Sequence, residues 1–379
     1  MTAGAVPRTA RRGPAPGGGP RPAPDGRPCV RDRLAALIGA FALDAQRAQI
    51  LGCYGAIFGG ALDPGSGVPP PRRSRLSEDG TPIQFATAVG PATPSLRFVG
   101  DPVLPGDGGA QGLRRACAAM DRVAAVLGLG AELDALRPLL AVLAPEDSRA
   151  LRDDPAGALW IGVGFAPGIP GRMRLYLNGG WGSAAQRPDR TRAFAAHFGQ
   201  AHAWRAAEAR LPAALSPLGM ALTLAPGRPA CGALYLRAFG LGLDAYAALA
   251  RQVAGPASAD AIGAFGAALL GDDAARPTPS AVLSFGCGGG PGLTVDLEFC
   301  AHCLFRDDAQ ARQRLLGLFS TLGLDATPYL TLARHLDDGA QDAGPPRVHA
   351  FVGVDAKAAA PTCTLYMKPD LAPCPPPRS

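Results

Sequence analysis

The sequence has few lysines, few aromatic residues and no long apolar segment. Only Lys357 and Lys368 carry an ammonium group, so nearly all of the positive charge comes from arginine. No run approaches the roughly 18 apolar residues that a transmembrane helix needs, so we expect no membrane span. The nine cysteines are odd in number and scattered over 379 residues. This pattern favours a reduced, cytoplasmic protein over one that is stapled by disulfides.

Several catalytic signatures are also missing. The sequence contains no HExxH zinc motif, no GKS/T phosphate loop and no Ser-His-Asp arrangement. The CAHC segment at 300–303 is a lone CxxC without a second pair at zinc spacing, so we interpret its thiols as packing groups at the end of a strand. The glycine-rich FGCGGGPG segment at 285–292 joins two predicted strands and opens no helix, which predicts a hairpin loop.

The formal charge of +6 does not indicate nucleic-acid binding, because much of it lies in one segment at the start of the chain. Residues 1–28 are rich in proline, glycine and arginine and lack the apolar core of a signal peptide. We therefore expect a disordered tail there, and a second short one at 373–379. With 47% hydrophobic residues, the intervening 29–372 can form one domain with a substantial core.

The chain does contain a repeated unit. Five stretches are typical of antiparallel hairpins, at residues 81–102, 158–182, 219–240, 280–300 and 347–369. Helical periodicity fills the segments at 31–58, 110–127, 131–143, 187–211, 244–254, 258–270, 307–322 and 328–336. The last four hairpins begin near residues 158, 219, 280 and 347, so their spacings are 61, 61 and 67 residues. Such regularity predicts an internal repeat of two helices and two strands.

Ten antiparallel strands with helices between the hairpins can close into a barrel that leaves no sheet edge. A barrel of this size is wide enough to enclose a ligand. We therefore predict an α+β fold, a ten-stranded antiparallel β-barrel of five ααββ repeats surrounded by helices. Two separate α+β domains, or an unrelated α+β enzyme or interaction protein, remain the alternatives.

The segment RMRLYLN in the second hairpin shows which residues would face the lumen. Strand alternation places Met173, Leu175 and Leu177 on one face. It places Arg174, Tyr176 and Asn178 on the other. An apolar face for the helices and an arginine–tyrosine face for the interior indicate a lined lumen.

Over residues 31–372 the sequence resembles the aromatic prenyltransferases of the dimethylallyltryptophan-synthase type, whose ABBA fold is a barrel of this kind. The matching segments are SEDGTPIQFATAV, PSLRFVGDP, RLYLNGG, GALYLRA and TCTLYMKP, in that order on successive hairpins. The resemblance implies a cytoplasmic enzyme of secondary metabolism, for instance of alkaloid biosynthesis. Such an enzyme moves a dimethylallyl or longer group from its diphosphate to an indole, tryptophan or related aromatic acceptor. It implies no cofactor, no essential Mg²⁺, no nucleic-acid or membrane partner, and a monomer or weak homodimer.

The resemblance also assigns roles to residues. Arg97 matches the family's diphosphate-binding arginine, and Arg174 stands where the family has another basic residue. Arg347 and Lys368 are further candidates for the diphosphate. Three tyrosines match members of a shield whose ring faces stabilise the allylic cation and exclude water, namely Tyr176, Tyr235 and Tyr366.

Other positions depart from the family pattern. Cys231 and Ala233 replace two basic residues of the third hairpin. Gln84 falls on the family's general-base carboxylate, and an amide does not usefully accept a proton.

The lumen face of the fourth hairpin is predicted to carry Thr294, Asp296 and Glu298. In the fifth hairpin, Arg347, His349 and Phe351 are predicted to share one face. Glu298, Asp296 and His349 are therefore candidate proton acceptors, since a carboxylate inside a barrel has a raised pKa. The aromatic acceptor is expected near Gln84, Trp160 and Asp296.

These departures leave alternatives open. Asp296 and Glu298 could pair with Arg347, receive a cationic amine or guanidine group of the substrate, or bind Mg²⁺. The lost cations are compatible with a non-catalytic barrel that binds an aromatic or hydrophobic ligand, and the lost carboxylate with a peptide as acceptor.

Overall fold

A computed structural model of the chain describes residues 28–63, 74–91, 93–102, 107, 109–154, 157–288, 290, 292–337, 344–356 and 361–369. The two predicted tails lie outside these residues, apart from Pro28, and so does Lys357. Among the helices in these ranges, none combines the length and the apolar character that crossing a bilayer would take.

The ten strands form one closed antiparallel barrel, as the repeat predicts. They are β1 (Ile83–Val89), β2 (Leu96–Gly100), β3 (Leu159–Ala166), β4 (Ile169–Asn178), β5 (Leu215–Ala225), β6 (Arg228–Ala238), β7 (Ala281–Cys287), β8 (Thr294–Cys300), β9 (His349–Asp355) and β10 (Thr362–Met367). Each strand pairs with its neighbours in sequence, and β1 closes the ring against β10. The alternative of two separate domains is therefore wrong.

Helices surround the barrel between successive hairpins. They are α1 (Val30–Ala40), α2 (Arg47–Phe58), α3 (Gly109–Leu127), α4 (Gly130–Leu143), α5 (Arg149–Arg152), α6 (Gln186–His197), α7 (Ala201–Glu208), α8 (Leu243–Ala254), α9 (Pro256–Leu270), α10 (Ala301–Leu304), α11 (Asp308–Leu322) and α12 (Thr327–Leu336). Short 3₁₀ turns lie at Asp44–Gln46 and Gly271–Ala275.

Local chemistry explains where several of these helices begin and end. The helical stretch predicted at 187–211 is two helices, because Gly199 adopts a left-handed conformation with φ of +70° between them. Asp307 caps α11 by accepting a hydrogen bond from the Gln310 amide at 2.7 Å. Helix α9 begins at Pro256, two residues before the predicted start at 258, because proline is favoured in the first turn of a helix.

The main hydrophobic core lies between the barrel wall and the helices. Rings from several strands fill it, with Phe85, Phe98, Phe165, Phe285 and Phe299 each almost completely buried. Burying a side chain of this size contributes roughly 2–3 kcal/mol to folding. The outward faces of the strands are thus committed to packing, and the inward faces remain for a site.

Candidate active site

Strand β4 shows how the lumen is built. Met173, Leu175 and Leu177 are buried in the core outside the barrel, as the alternation predicts. The intervening Arg174 and Tyr176 line the cavities inside it. The predicted division of this strand into an outer apolar face and an inner functional face is confirmed.

Two predicted arginines meet toward one end of the lumen. Arg97 on β2 donates a hydrogen bond from Nη2 to Thr364 Oγ1 at 3.2 Å. Arg174 on β4 donates from Nη2 to the hydroxyl of Tyr235 at 2.5 Å. Both guanidinium groups line one cavity of about 260 Å³. The sequence analysis missed Arg172, which lines this cavity as well; its place two residues before Arg174 on the same strand face is a signal that could have found it.

Glycines of β3 make room for these side chains. Gly162 lies opposite Arg174 and Gly164 lies opposite Arg172. A Cβ atom at Gly164 would lie 3.0 Å from Arg172 Nε and 3.1 Å from Arg97 Cγ, closer than ordinary contacts. Only a residue without a side chain lets both arginines lie over this part of the wall.

The three predicted tyrosines lie next to the arginines. The rings of Tyr176 and Tyr235 are 6.2 Å apart, and the Arg174 guanidinium carbon lies 5.4 Å and 5.9 Å from their centroids. Tyr366 meets Phe351 edge to face at 6.2 Å. Burial raises the pKa of Tyr235 and Tyr366, so both hydroxyls stay protonated.

The two acidic residues of β8 also face the lumen, as predicted. Asp296 accepts a hydrogen bond from Ser284 Oγ at 3.2 Å. Glu298 lines both the cavity near the arginines and the larger cavity beyond the tyrosines. Desolvation raises the pKa of Glu298 to about 7, with Arg174 opposing the shift and Asp296 adding to it. Glu298 therefore changes its protonation state near neutral pH.

The larger cavity, of about 360 Å³, holds two of the three residues predicted for the aromatic acceptor. The third, Asp296, lines the cavity near the arginines instead. Gln84 and Trp160 both line it, and the Trp160 Nε1 atom is buried without a hydrogen-bond partner. Gln84 Nε2 donates to the Leu76 carbonyl at 2.7 Å and to Ser77 Oγ at 3.0 Å. Since both amide protons are used in this way, the oxygen of the Gln84 amide is the group left to accept a hydrogen bond.

Two further arginines at this cavity were not predicted. Arg75 precedes β1, and Arg237 lies two residues after Tyr235 on β6, so alternation alone places Arg237 on the lumen face. Its Nη1 atom donates to Ser280 Oγ at 3.1 Å and points toward the Cys300 thiol at 3.7 Å.

His349 does not share a face with Phe351, and that prediction is wrong. A bulge between β9 and β10 pairs Tyr366 with Phe351 but Met367 with His349, which makes Ala350 an extra residue. The imidazole therefore points out of the barrel. Its Nδ1 lies 2.6 Å from Asp308 and its Nε2 lies 3.0 Å from the Tyr329 hydroxyl, on two covering helices. His349 is not in a position to take a proton inside the lumen.

The two remaining candidates for binding the diphosphate, Arg347 and Lys368, do not line the cavity of Arg97 and Arg174. Arg347 is exposed just before β9, where its backbone amide donates to Asp308. Lys368 is buried beyond the end of β10, and its amine lies 2.8 Å from Asp79. Arg347 lies two residues before β9 begins. Lys368 lies one residue after β10 ends, directly beyond Met367, which pairs with Phe85.

The CAHC segment and the glycine-rich segment lie where they were predicted. The CAHC segment spans the end of β8 and α10, with Cys303 Sγ 3.1 Å from His302 Nε2. The glycine-rich segment after Phe285 connects β7 to β8. In the described part of the chain, no group of three or more His, Cys, Asp or Glu side chains is arranged to hold a metal ion.

Comparison with known proteins identifies the fold. No protein-family model matches the sequence, and no curated protein does. Among solved structures, 5-dimethylallyltryptophan synthase from Streptomyces coelicolor has a TM-score of 0.72 at 22% identity, over 89% of this chain and 95% of that one. The 6-dimethylallyltryptophan synthase from Micromonospora olivasterospora has 0.72 at 21%, over 89% and 96%. The prenyltransferase PriB, solved with L-tryptophan and dimethylallyl thiolodiphosphate, has 0.76 at 21%, over 89% and 94%. The chain therefore has the ten-stranded barrel fold of the dimethylallyltryptophan synthases.

Proposed function

We propose that the protein is an aromatic prenyltransferase that moves an allylic group from its diphosphate to an aromatic acceptor. The observation that carries this proposal is the order of groups inside one closed lumen. Guanidinium groups come first, then a layer of tyrosines with Glu298, then an acceptor cavity. This is the order in which the reaction needs a leaving-group site, a cation site and a nucleophile site.

The first step breaks the bond between the allylic carbon and the diphosphate oxygen. The electron pair leaves with the diphosphate, whose negative charge increases as the bond breaks. Arg97 and Arg174 stabilise this charge by charge-assisted hydrogen bonds that are already oriented before the reaction. Because neither arginine forms an ion pair with a carboxylate of the described residues, both are available to an anionic ligand.

The allylic cation left behind lies against Tyr176, Tyr235 and Tyr366. Aromatic faces attract a delocalised cation, most strongly where water is excluded. The ring of the acceptor then donates an electron pair to the cation and forms the new bond. Exclusion of water by the closed barrel prevents hydrolysis of the cation.

The acceptor then loses a proton to restore its aromaticity, and Glu298 accepts it. Glu298 is the carboxylate that lines both the leaving-group side and the acceptor side of the lumen. Its pKa of about 7 suits proton transfer near neutral pH. Gln84 orients the acceptor through its amide oxygen and takes no proton.

An indole is the first acceptor to test, with tryptophan as the simplest form. A ring N–H could donate to the Gln84 oxygen while the ring lies near Trp160. Crystals of the similar barrel PriB contained L-tryptophan, which supports this choice. Indole-bearing peptides and modified natural products are the second class, since the acceptor cavity is lined by Arg75 and Arg237 beyond the indole site.

The test is a turnover assay read by mass spectrometry. The protein is incubated with dimethylallyl or geranyl diphosphate and with indoles, tryptophan, tyrosine, flavonoids and short peptides, each with and without EDTA. We expect a product heavier by one prenyl unit that survives EDTA, since the reaction proposed here uses no metal. No product from any pair, together with no binding of allylic diphosphates by calorimetry, would contradict the proposal.

The second candidate function is a barrel that binds an aromatic or hydrophobic ligand without catalysis. It is motivated by the uncharged Cys231 and Ala233, both of which line the lumen. The presence of Arg172 beside Arg97 and Arg174 counts against it, because a purely apolar ligand gives three clustered cations no partner.

A further inference from the structure

We propose that Arg172 is a third ligand of the departing diphosphate and that it supplies the positive charge which Cys231 and Ala233 of strand β6 do not provide. This inference rests on the proposed function. It adds a residue that no sequence motif assigned, and it places the diphosphate against the β2–β4 wall of the lumen.

The position of Arg172 supports this role. It lines the same cavity as Arg97 and Arg174, together with the hydroxyl-bearing Thr223. Arg172 Nε and Arg97 Cγ lie over the same point of the barrel wall, since a Cβ atom at Gly164 would be 3.0 Å from the first and 3.1 Å from the second. Arg172 and Arg174 are two residues apart on one strand, so their side chains leave the sheet on the same side.

The charge of this cavity supports it as well. Three guanidinium groups line one cavity, and none of them forms an ion pair with a carboxylate in the ranges that the structure describes. Desolvation and the charges of Arg97 and Arg174 lower the pKa of Arg172. Like charges that line one cavity repel one another, and a multivalent anion bound between them relieves that repulsion. A diphosphate offers several acceptor oxygens to planar forks of this type.

At the level of Arg174, the β6 part of the wall carries no cation among the described residues. Thr223 of β5 pairs with Arg174 on one side and with Cys231 of β6 on the other, so Cys231 is two strands from Arg174 at the same level. Cys231 and Ala233 are uncharged. A diphosphate in this cavity therefore finds its guanidinium partners on β2 and β4.

The test measures binding of dimethylallyl S-thiolodiphosphate by calorimetry, because this probe binds without turning over. Arg172→Gln is expected to weaken binding at least tenfold, and Arg172→Lys to weaken it less. Arg228→Gln is the matched control, since Arg228 is exposed near the tip of the third hairpin and lines none of these cavities. Thermal melting of each variant checks that the barrel is folded.

The outcomes separate this inference from the proposed function. If the wild type binds the probe and Arg97→Ala weakens it while Arg172→Gln stays within twofold of wild type, the role of Arg172 is wrong and the proposed function stands. If the wild type binds neither the probe nor inorganic pyrophosphate, the proposed function fails and this inference fails with it.

A rescue variant tests the placement of charge. Cys231→Lys in the Arg172→Gln background returns a cation to the same level of the lumen from the β6 side. We expect it to recover part of the lost affinity for the probe. Loss in Arg172→Gln without recovery in a folded double variant would contradict the idea that the two positions serve one ligand.

Discussion

At the scale of single residues, the function proposed for Glu298 depends on its ionisation. Proton transfer to Glu298 requires the carboxylate form, and its pKa is about 7. We therefore expect kcat to rise with pH across a midpoint near 7. Glu298→Gln should lower kcat by about 10²-fold, the usual scale for a lost general base, and should remove this pH dependence. A pH–rate profile of both proteins is the measurement.

Asp296→Asn is the matched control for that profile. The charge of Asp296 contributes to the raised pKa of Glu298, so its removal should move the midpoint to lower pH without abolishing it. A profile that is unchanged in Glu298→Gln would exclude Glu298 as the proton acceptor.

The same carboxyl group predicts a pH dependence of stability. Its folded pKa of about 7 lies above its ordinary value of 4.5, so the folded state favours the protonated form. This contribution is fully present below about pH 4.5 and is lost as the pH rises through 7. Glu298→Gln should therefore melt at a higher temperature than the wild type at pH 8.5 and at nearly the same temperature at pH 5. Equal melting temperatures at both pH values would contradict burial of the carboxylate.

At the scale of the elements, the glycines of strand β3 leave space for the side chains of the neighbouring strands. Gly164→Ala places a Cβ atom against Arg97 and Arg172. We expect weaker binding of allylic diphosphates, by roughly tenfold, because both guanidinium groups must shift. Gly317→Ala in α11 is the control, since its Cβ meets nothing within 4 Å, and it should raise stability by about 0.5–1 kcal/mol with binding unchanged. Calorimetry and thermal melting of the two variants decide between these effects.

Strands were predictable from the sequence where their faces differ in chemistry. From Arg172 to Asn178 in β4, polar and apolar residues alternate without interruption, so the lumen face could be assigned before the structure. In β9 the same period fails, because the bulge at Ala350 moves His349 to the outer face. An extra residue in one strand depends on the pairing with its neighbour, which a single sequence does not reveal.

The order of layers inside the lumen was predictable only in part. Arg97, Arg174, the three tyrosines and Glu298 could be named from motifs and alternation. Their grouping could not, since it depends on the register between strands that are distant in sequence, such as β1 with β10, which brings Thr364 within reach of Arg97. Lys368 illustrates the limit, because its pairing with Asp79 is a contact of the tertiary fold.

At the scale of the whole molecule, closure of the barrel depends on its last strand. A chain that ends at Asp355 lacks β10 and leaves β1 and β9 with unpaired edges. Such edges template aggregation, so we expect this truncated chain to elute as large aggregates in size-exclusion chromatography. A chain that ends at Pro369 keeps every described strand and should elute like the full chain. Elution of the shorter chain as a folded species would contradict the need for closure.

The pairing of the first strand with the last also sets an order of events during synthesis. β1 leaves the ribosome on the order of tens of seconds before β10, at ordinary rates of translation. Throughout that interval the growing sheet has two open edges, and the side chains of Thr364 and Tyr366 are missing from the lumen. The nascent chain thus completes the lumen around Tyr366 in the same step that removes its sheet edges. Under the function proposed here, an allylic cation would form only in a molecule whose barrel has closed.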